Sequence, residues 1–216
     1  MSARTLLLVG ATGAVGGEVL GQALADRRVG RIIAPTRRPL ATAHAGAHAK
    51  LLNPVVDFAA LTGAEPWWPC DAVICTLGTT IRIAGSQAAF AQVDRDLPIR
   101  FGRLALAAGA TAYALNSSLG ASAKGNFYLR TKAEAEAGIL ALGFASVTLV
   151  RPSLIDAERS ESRPGERAGI LVARALRPLI PARYRAVTSA AIARALLDGA
   201  LAAPPGTTIV ESKDLA

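Results

Sequence analysis

The stretch that most constrains the fold is the glycine-rich turn GATGAVGG at residues 10–17, directly after the apolar run LLLV. Within it, Gly10, Gly13 and Gly16 recur at every third position. Glycine permits a tight turn and lets backbone amides approach a pyrophosphate at the positive end of the following helix. A glycine motif that leaves a strand and opens a helix has the context of a dinucleotide-binding turn. We therefore favour dinucleotide binding over a merely structural glycine turn.

Beyond this turn, apolar strand-like runs alternate with alanine-rich helical patterns. Near-continuous apolar runs are typical of parallel strands whose two faces are covered. The predicted strands span residues 5–9, 31–36, 49–56, 71–76, 111–116, 146–150 and 207–210. The predicted helices span residues 14–26, 86–108, 124–142, 167–176 and 189–201. The alternation predicts an α/β Rossmann fold, a doubly wound and mostly parallel sheet with helices on both faces, which binds ligands beyond the carboxyl ends of its strands.

Composition bounds the number of domains and the cellular setting. The 216 residues are 51% hydrophobic and 19% charged, which suits one well-buried domain over residues 1–216. Cys70 and Cys75 lack Cys-x-x-Cys spacing and companions for a disulfide framework, so we expect buried, reduced thiols in a cytoplasmic protein. No metal site is predicted, because His44 and His48 have no third convergent ligand. The apolar segments are too short for a signal peptide or a transmembrane span.

The net charge of +8 raises nucleic-acid binding as an alternative, since clustered arginine attracts phosphate. The arginines are scattered, however, and aromatic residues make up only 5% of the chain. A basic enzyme with an anionic cofactor is therefore favoured, and nucleic acid is not an expected partner. Residues 168–181 mix apolar and arginine positions as an interfacial helix does. Packing on the sheet explains the same pattern and is preferred, so we expect no peripheral membrane contact.

Two arginines, Arg37 and Arg38, follow the second predicted strand. A carboxylate near this position usually meets the ribose of NAD, whereas arginine meets the 2′-phosphate of NADP. The pair without a carboxylate therefore predicts NADP(H), the alternative being two solvated surface residues. Asp57 and Phe58 follow the third predicted strand, where a carboxylate and an aromatic edge could hold adenine.

A tyrosine and a lysine, Tyr128 and Lys132, lie four residues apart in the predicted helix 124–142, after the serine pair Ser117 and Ser118. This spacing stacks the phenol and the ammonium on one helix face. A phenol beside a cation is a better acid. Taken alone, the spacing is more typical of two surface residues. Downstream of a glycine turn and an arginine pair, it indicates a proton donor with its electrostatic partner.

Together these motifs resemble the short-chain dehydrogenase/reductase superfamily, and within its atypical branch the Tat-interacting-protein oxidoreductases and their bacterial relatives. The resemblance rests on the order and spacing of GATGAVGG, TRRP, CTLGTTIRIAGSQAAFAQVDRD, NSSLGASAKGNFYLRTKAEAE, LVRPSLIDAERSESRPGE and YRAVTSAAIARAL. It implies an NADPH-dependent oxidoreductase that transfers hydride to a small carbonyl substrate, with Tyr128 as the proton donor. Lys132 would favour the phenolate and hold the ribose hydroxyls, and Ser118, more than Ser117, would orient the carbonyl.

The resemblance also implies a set of cofactor contacts: Gly10, Thr12, Gly13, Ala14, Val15, Gly16, Arg37, Arg38, Leu77, Gly78, Tyr128, Lys132, Ile155 and Arg163. The substrate side would come from short loops at about 79–86 and 156–188. Asp94 stands where many members carry an asparagine that helps to relay protons. The alternative is an NADP(H)-binding regulatory protein that acts through a protein partner. The motifs leave open the substrate, the reaction direction and the choice between a monomer and a homodimer.

Overall fold

The computed structural model describes residues 3–40, 48–156 and 182–215. Seven strands form one sheet with the order β3-β2-β1-β4-β5-β6-β9, and all neighbouring pairs are parallel. These strands are β1 (Arg4–Val9), β2 (Val29–Ile33), β3 (Leu51–Leu52), β4 (Ala72–Cys75), β5 (Ala112–Asn116), β6 (Ser146–Arg151) and β9 (Gly206–Glu211). Two short strands, β7 (Ile155–Asp156) and β8 (Val187–Thr188), pair separately. The predicted doubly wound α/β fold is confirmed.

Six α-helices flank the sheet within the described residues. They are α1 (Ala14–Ala25), α2 (Ile81–Ala84), α3 (Gln87–Ala91), α4 (Leu97–Ala107), α5 (Phe127–Ala141) and α6 (Ser189–Ala202). A π-helical turn, Gln92–Asp96, joins α3 to α4, and 3-10 turns lie at Ala182–Tyr184 and Ser212–Leu215. No helix of the described residues is long and apolar enough to cross a membrane. The prediction of a single domain over the whole chain stays a prediction.

Alternation along the strands creates two cores, one on each face of the sheet. In β1, Leu6 and Leu8 belong to the core beneath α1 and α6, whereas Leu7 and Val9 belong to the core beneath α4 and α5. Successive side chains of a strand point to opposite faces, so a continuous apolar strand supplies both layers at once. Strand order reverses at β1 and β4, and this switch point is where open α/β sheets bind their ligands.

The two tryptophans, Trp67 and Trp68, anchor the loop before β4. Both Trp67 and Trp68 are buried, and Trp68 packs on Phe101 of α4 with ring centres 5.8 Å apart. The Trp68 Nε1–H donates to Glu65 Oε2 at 2.6 Å, and this bond lowers the pKa of Glu65 to about 2. The loop before β4 is therefore fixed by an indole, a carboxylate and the apolar core.

Some predicted elements are broken or shortened in the structure. The single helix predicted at 86–108 is interrupted by the π-helical turn, and a separate short helix, α2, precedes it and ends at Gly85 with a left-handed φ of +82°. The strand predicted at 49–56 is regular only at Leu51–Leu52, and pairing resumes at a single bridge between Thr36 and Val55. Between the two, the Asn53 side chain donates to Ala34 O. The helix predicted at 167–176 lies outside the described residues.

Candidate functional site

The glycine turn brings α1 into direct contact with the ends of β1 and β4. A Cβ at Gly16 would lie 2.0 Å from Gly10 O, and one at Gly10 would lie 2.7 Å from Thr76 Oγ1. Gly10 also has a φ of +96°, which side chains rarely adopt. The Thr76 hydroxyl bonds the carbonyls of Val9 and Gly10, at 3.1 and 3.2 Å. Only glycine fits at positions 10 and 16, so the packing itself explains two of the three repeating glycines.

The third glycine, Gly13, leaves the N-terminus of α1 open. It occupies the N-cap position and provides no side-chain cap, and the first turn carries no acidic residue. The first amides of a helix have no partner within the helix, and the helix dipole makes this end positive. The backbone of Ala14 and Val15 therefore offers unshared donors to an anion, which fits the pyrophosphate of a dinucleotide.

A cleft of about 470 Å³ lies at the carboxyl ends of the strands, next to this turn. It includes four of the predicted cofactor residues, Gly10, Thr12, Arg37 and Leu77. Its full lining is Gly10, Ala11, Thr12, Pro35, Thr36, Arg37, Asp57, Phe58, Ala59, Leu77, Gln92, Val93, Leu97 and Arg100. Asp57 and Phe58, where adenine was expected, also line it. The cleft therefore gathers residues from five separate parts of the sequence around the switch point.

The arginine turn has a fixed backbone and free side chains. The Thr36 hydroxyl donates to Arg38 O at 2.6 Å, and Asn53 Nδ2 donates to Thr36 Oγ1 at 2.8 Å. Both Arg37 and Arg38 are exposed. The turn therefore holds Arg37 at the cleft and exposes Arg38 beside it in the sequence, and none of the hydrogen bonds that fix its backbone uses either guanidinium group.

Arg100 lines the cleft, although it was not predicted from the sequence. Its guanidinium donates to the carbonyls of Phe58 and Ala59, each at 3.1 Å, and to Leu61 O. These bonds fix the loop that carries Asp57 against α4. The available signal was an arginine inside the apolar segment LPIRFGRLALA, since a charge on such a helix needs carbonyl or carboxylate partners.

The tyrosine and the lysine lie together on α5, beyond the cleft. The Lys132 Nζ is 6.0 Å from the centre of the Tyr128 ring. Tyr128 is half-buried and packs against Phe90, with ring centres 5.7 Å apart. Asn126 caps the N-terminus of α5, and its side chain accepts a hydrogen bond from Leu129 N–H at 3.0 Å. This cap fixes the first turn of the helix, which carries Tyr128.

Lys132 is buried and paired with a residue of the π-helical turn. Its Nζ lies 2.8 Å from Asp94 Oδ1, and Asp94 Oδ2 accepts a hydrogen bond from Thr79 N–H at 2.9 Å. A Cβ at Gly78 would lie 3.6 Å from Asp94 Oδ1 and 4.0 Å from Lys132 Nζ. The pair therefore lies directly beneath the turn that carries Leu77 and Gly78. The sequence placed Asp94 near the site but did not show that it contacts the lysine.

The two serines have different partners. Ser117 is buried, and its hydroxyl donates to Glu136 Oε1 at 2.5 Å. Glu136 in turn forms two bonds with Arg151, at 2.9 and 2.6 Å. Ser118 is only partly buried, and its hydroxyl makes one long contact, 3.4 Å, with Leu119 O. Ser118 therefore has the freer hydroxyl of the two.

The remaining predicted residues lie on other elements of the fold or outside the described part of the chain. Ile155 is in β7 and is 41% exposed. Arg163 lies outside the described residues, as do His44 and most of the loop expected at 156–188. Cys70 and Cys75 are buried and unpaired, and burial raises the pKa of the Cys70 thiol to about 12 and that of Cys75 as well. Among the described residues, no three metal-ligating side chains cluster.

The fold and the glycine turn define the class of fold, a Rossmann-type α/β sheet whose first strand leads into a glycine turn. The NAD complex of WbmG from Bordetella bronchiseptica has the same fold, with a TM-score of 0.70 over 98% of this chain and 74% of that one, at 14% identity. No family model matches the chain.

Two similar proteins establish the family. Protein fmp52, mitochondrial, from Emericella nidulans is 38% identical over 173 residues, which cover 78% of this chain and 74% of that protein. Protein HTATIP2 from Rattus norvegicus is 35% identical over 168 residues, covering 77% and 69%. The chain belongs to the HTATIP2 and Fmp52 family of the atypical branch, as the sequence motifs predicted.

The predicted cytoplasmic location is wrong by this comparison. Relatives from Emericella nidulans, Aspergillus clavatus and Lodderomyces elongisporus are named mitochondrial. The prediction rested on free cysteines, and these are equally compatible with other reducing compartments. Cysteine usage separates reducing from oxidising compartments and does not distinguish one reducing compartment from another.

Proposed function

We propose that the chain is an NADPH-dependent oxidoreductase that reduces the carbonyl group of a small molecule. The observation that carries this proposal is the position of Tyr128 and Lys132 on α5, with Nζ 6.0 Å from the phenol ring centre. The buried lysine also underlies Gly78, next to Leu77 at the edge of the cofactor cleft. Carbonyl reduction needs a proton donor, a positive charge that stabilises the donor's anion, and a bound dinucleotide. The phenol, the ammonium group and the adjoining cleft would supply these three.

The chain's own residues would hold the cofactor in three places. The open N-terminus of α1 would bind the pyrophosphate, Arg37 and Arg38 the ribose phosphate, and the turn at Leu77 and Gly78 the second ribose. When bound, the cofactor supplies the hydride that reaches the carbonyl carbon. The preference for NADP over NAD is part of the proposal, and exposed arginines at the end of β2 without a neighbouring carboxylate support it.

The proton comes from the protein. Tyr128 would donate its hydroxyl proton to the carbonyl oxygen as the carbon gains hydride, which yields an alcohol and leaves a phenolate to be reprotonated from solvent. The positive charge of Lys132 stabilises that phenolate. Ser118 would hydrogen-bond the carbonyl oxygen and orient it, because the hydroxyl of Ser117 is committed to Glu136.

The test is a Tyr128→Phe variant, screened beside wild type for NADPH oxidation with aldehydes, ketones and quinones. The variant keeps the ring that packs on Phe90 and loses only the proton donor. We expect NADPH binding within about twofold of wild type and a fall in kcat of at least about 100-fold, as for the loss of a general acid. Equal turnover of the two proteins on a substrate that wild type reduces would exclude Tyr128 as the donor.

A matched control is Tyr184→Phe. Tyr184 is 50% exposed and lies on a 3-10 turn, with its ring against Arg183. Because Tyr184 falls in a loop expected on the substrate side, the substitution can shift KM, but kcat should stay within about twofold of wild type. The alternative function is that of a purely regulatory protein. Such a protein would bind NADPH, but none of the carbonyl compounds in the screen would cause it to oxidise NADPH. The arginine-rich segment that follows Asp156, through which such a protein would contact its partner, lies outside the described residues.

A further inference from the structure

Asp94 is a buried carboxylate that has no role in the proposed reaction. Its side chain is 1% exposed, and that of its partner Lys132 is 8% exposed. One oxygen, Oδ1, lies 2.8 Å from the ammonium, and the other accepts the Thr79 amide. A buried charge is costly unless a partner compensates it, so the two side chains form a fixed unit of zero net charge.

The π-helical turn explains how the carboxylate reaches the lysine. Such a turn widens the helix by one residue and redirects the side chains on it. Here Gln92 and Val93 line the cleft, while Asp94 meets Lys132 of α5. Gly78 has no side chain to separate the pair from the surface. The ion pair therefore lies directly under the place that the proposed function gives to the nicotinamide end of the cofactor.

Besides Tyr128, whose ring centre is 6.0 Å from Lys132 Nζ, the Cys75 thiol lies close to this pair, and the Tyr113 hydroxyl interacts with Cys75. Burial raises the pKa of the Cys75 thiol and of the Tyr113 hydroxyl, so both are neutral in the physiological range. Tyr113 also donates to Pro98 O at 3.0 Å and is held there. The charge of this region is therefore decided by Asp94 and Lys132.

We propose that Asp94 sets the charge of the cofactor site and thereby the relative affinity for oxidised and reduced cofactor. This inference rests on the cofactor position given under the proposed function. NADP⁺ carries a positive charge on its nicotinamide ring that NADPH lacks. Lys132 without a counter-charge repels that ring, and Asp94 cancels the repulsion. Asp94 is thus a positioning and charge-balancing residue that acts through Lys132.

The test compares dissociation constants for NADP⁺ and NADPH, at one pH and one salt concentration, in wild type, Asp94→Asn and Asp94→Glu. Asp94→Asn keeps the size of the side chain and an acceptor for Thr79, but not the charge. We expect it to weaken NADP⁺ relative to NADPH by about tenfold, the order of effect of one charge on another in a partly buried site. Asp94→Glu retains the charge and should keep the wild-type ratio even if both affinities fall.

A loss in Asp94→Asn that is equal for the two cofactors would show a structural role alone and overturn the proposal. Since that variant buries Lys132 without a counter-charge, it is expected to lose stability. A second comparison decides the question if it does not fold. Lys132→Met and the double variant Asp94→Asn with Lys132→Met differ only in the carboxylate, which keeps its Thr79 bond in the first.

We expect Lys132→Met to favour NADP⁺ about tenfold more than the double variant does, and the double variant to return to the wild-type ratio. Equal ratios in these two proteins would also overturn the proposal. None of the measurements requires turnover. If the ratio changes but the protein reduces no carbonyl compound, the proposed activity is refuted and this inference stands. If the ratio is unchanged in an active enzyme, this inference is refuted and the proposed activity stands.

Discussion

At the end of β2, Arg37 and Arg38 extend from a turn whose backbone Thr36 and Asn53 already hold. Because the turn does not depend on the two guanidinium groups, their removal should change binding and leave folding intact. We expect Arg37→Ala combined with Arg38→Ala to weaken NADPH by about 10- to 100-fold, since charge-assisted hydrogen bonds to the phosphate are lost. NADH, which has no such phosphate, should bind within about threefold of wild type. Fluorescence titration of both cofactors measures the difference.

The control for this pair is Arg27→Ala combined with Arg103→Ala. Both residues are exposed and neither lines the cleft, so the net charge falls by the same amount. If the control weakens NADPH as much as the Arg37 and Arg38 substitutions do, the effect is long-range attraction between a basic protein and an anion. Similar losses for NADPH and NADH in the Arg37 and Arg38 variant would show that these side chains do not distinguish the two cofactors.

Among single residues, those whose role follows from spacing could be predicted, and those whose role needs a distant partner could not. Tyr128 and Lys132 share a helix face because they are four residues apart. Asp94 and Lys132 are separated by α4, β5 and the first turn of α5, so nothing in the sequence shows that they touch. Arg100 likewise meets carbonyls of a loop about forty residues earlier in the chain.

The contact of α1 with the glycine turn is the element-scale feature on which cofactor binding depends. A Cβ at Gly16 would lie 2.0 Å from Gly10 O and 2.7 Å from Gly10 C, and a backbone atom cannot rotate away as a side chain can. Gly16→Ala must therefore separate α1 from β1. We expect it to lower the free energy of unfolding by about 1–3 kcal/mol and to weaken NADPH at least tenfold. Urea unfolding and a cofactor titration measure the two effects.

The neighbouring glycine supplies the control. A Cβ at Gly17 would meet only Ala11 O, at 3.9 Å, which is ordinary contact. Since alanine is a better helix former than glycine, Gly17→Ala should raise the free energy of unfolding by about 0.5 kcal/mol. A destabilisation of the same size at both positions would mean that loss of glycine flexibility, and not the clash with Gly10, governs the turn.

Strands could be predicted at this scale better than helix breaks. All seven predicted strands occur in the sheet, because a strand covered on both faces is a continuous apolar run. The break at Gln92–Asp96 could not be predicted, since the segment SQAAFAQVDRDLPIR keeps a helical pattern throughout. The extra residue of the π-helical turn is held by tertiary contacts of Asp94 with Lys132 and Thr79.

For the whole molecule, one partly buried network joins the helix of Tyr128 and Lys132 to three of the seven strands of the sheet. Glu136 of α5 accepts from Ser117 at the end of β5 and from Arg151 of β6, and Arg151 also reaches Glu211 of β9 at 3.3 Å. The hydrogen bonds and the charge of Glu136 raise the pKa of Arg151 above its ordinary value. The helix pattern AEAEAG is typical of solvent-exposed glutamates. Glu136 is nevertheless buried, because its face of α5 lies against Ser117 and Arg151.

Replacing Glu136 tests whether this network holds the site together. Its side chain is 6% exposed, and Glu136→Gln leaves Arg151, 23% exposed, without its main counter-charge. We expect the free energy of unfolding to fall by about 2–4 kcal/mol, less than for a fully buried pair because Arg151 retains some solvent and Glu211. Glu134→Gln makes the same chemical change two residues earlier, where Glu134 is 51% exposed and pairs with Arg95. This variant should lower the free energy of unfolding by less than about 1 kcal/mol. Urea unfolding of the two variants compares them directly, and equal losses would show that the network contributes no more than a surface ion pair.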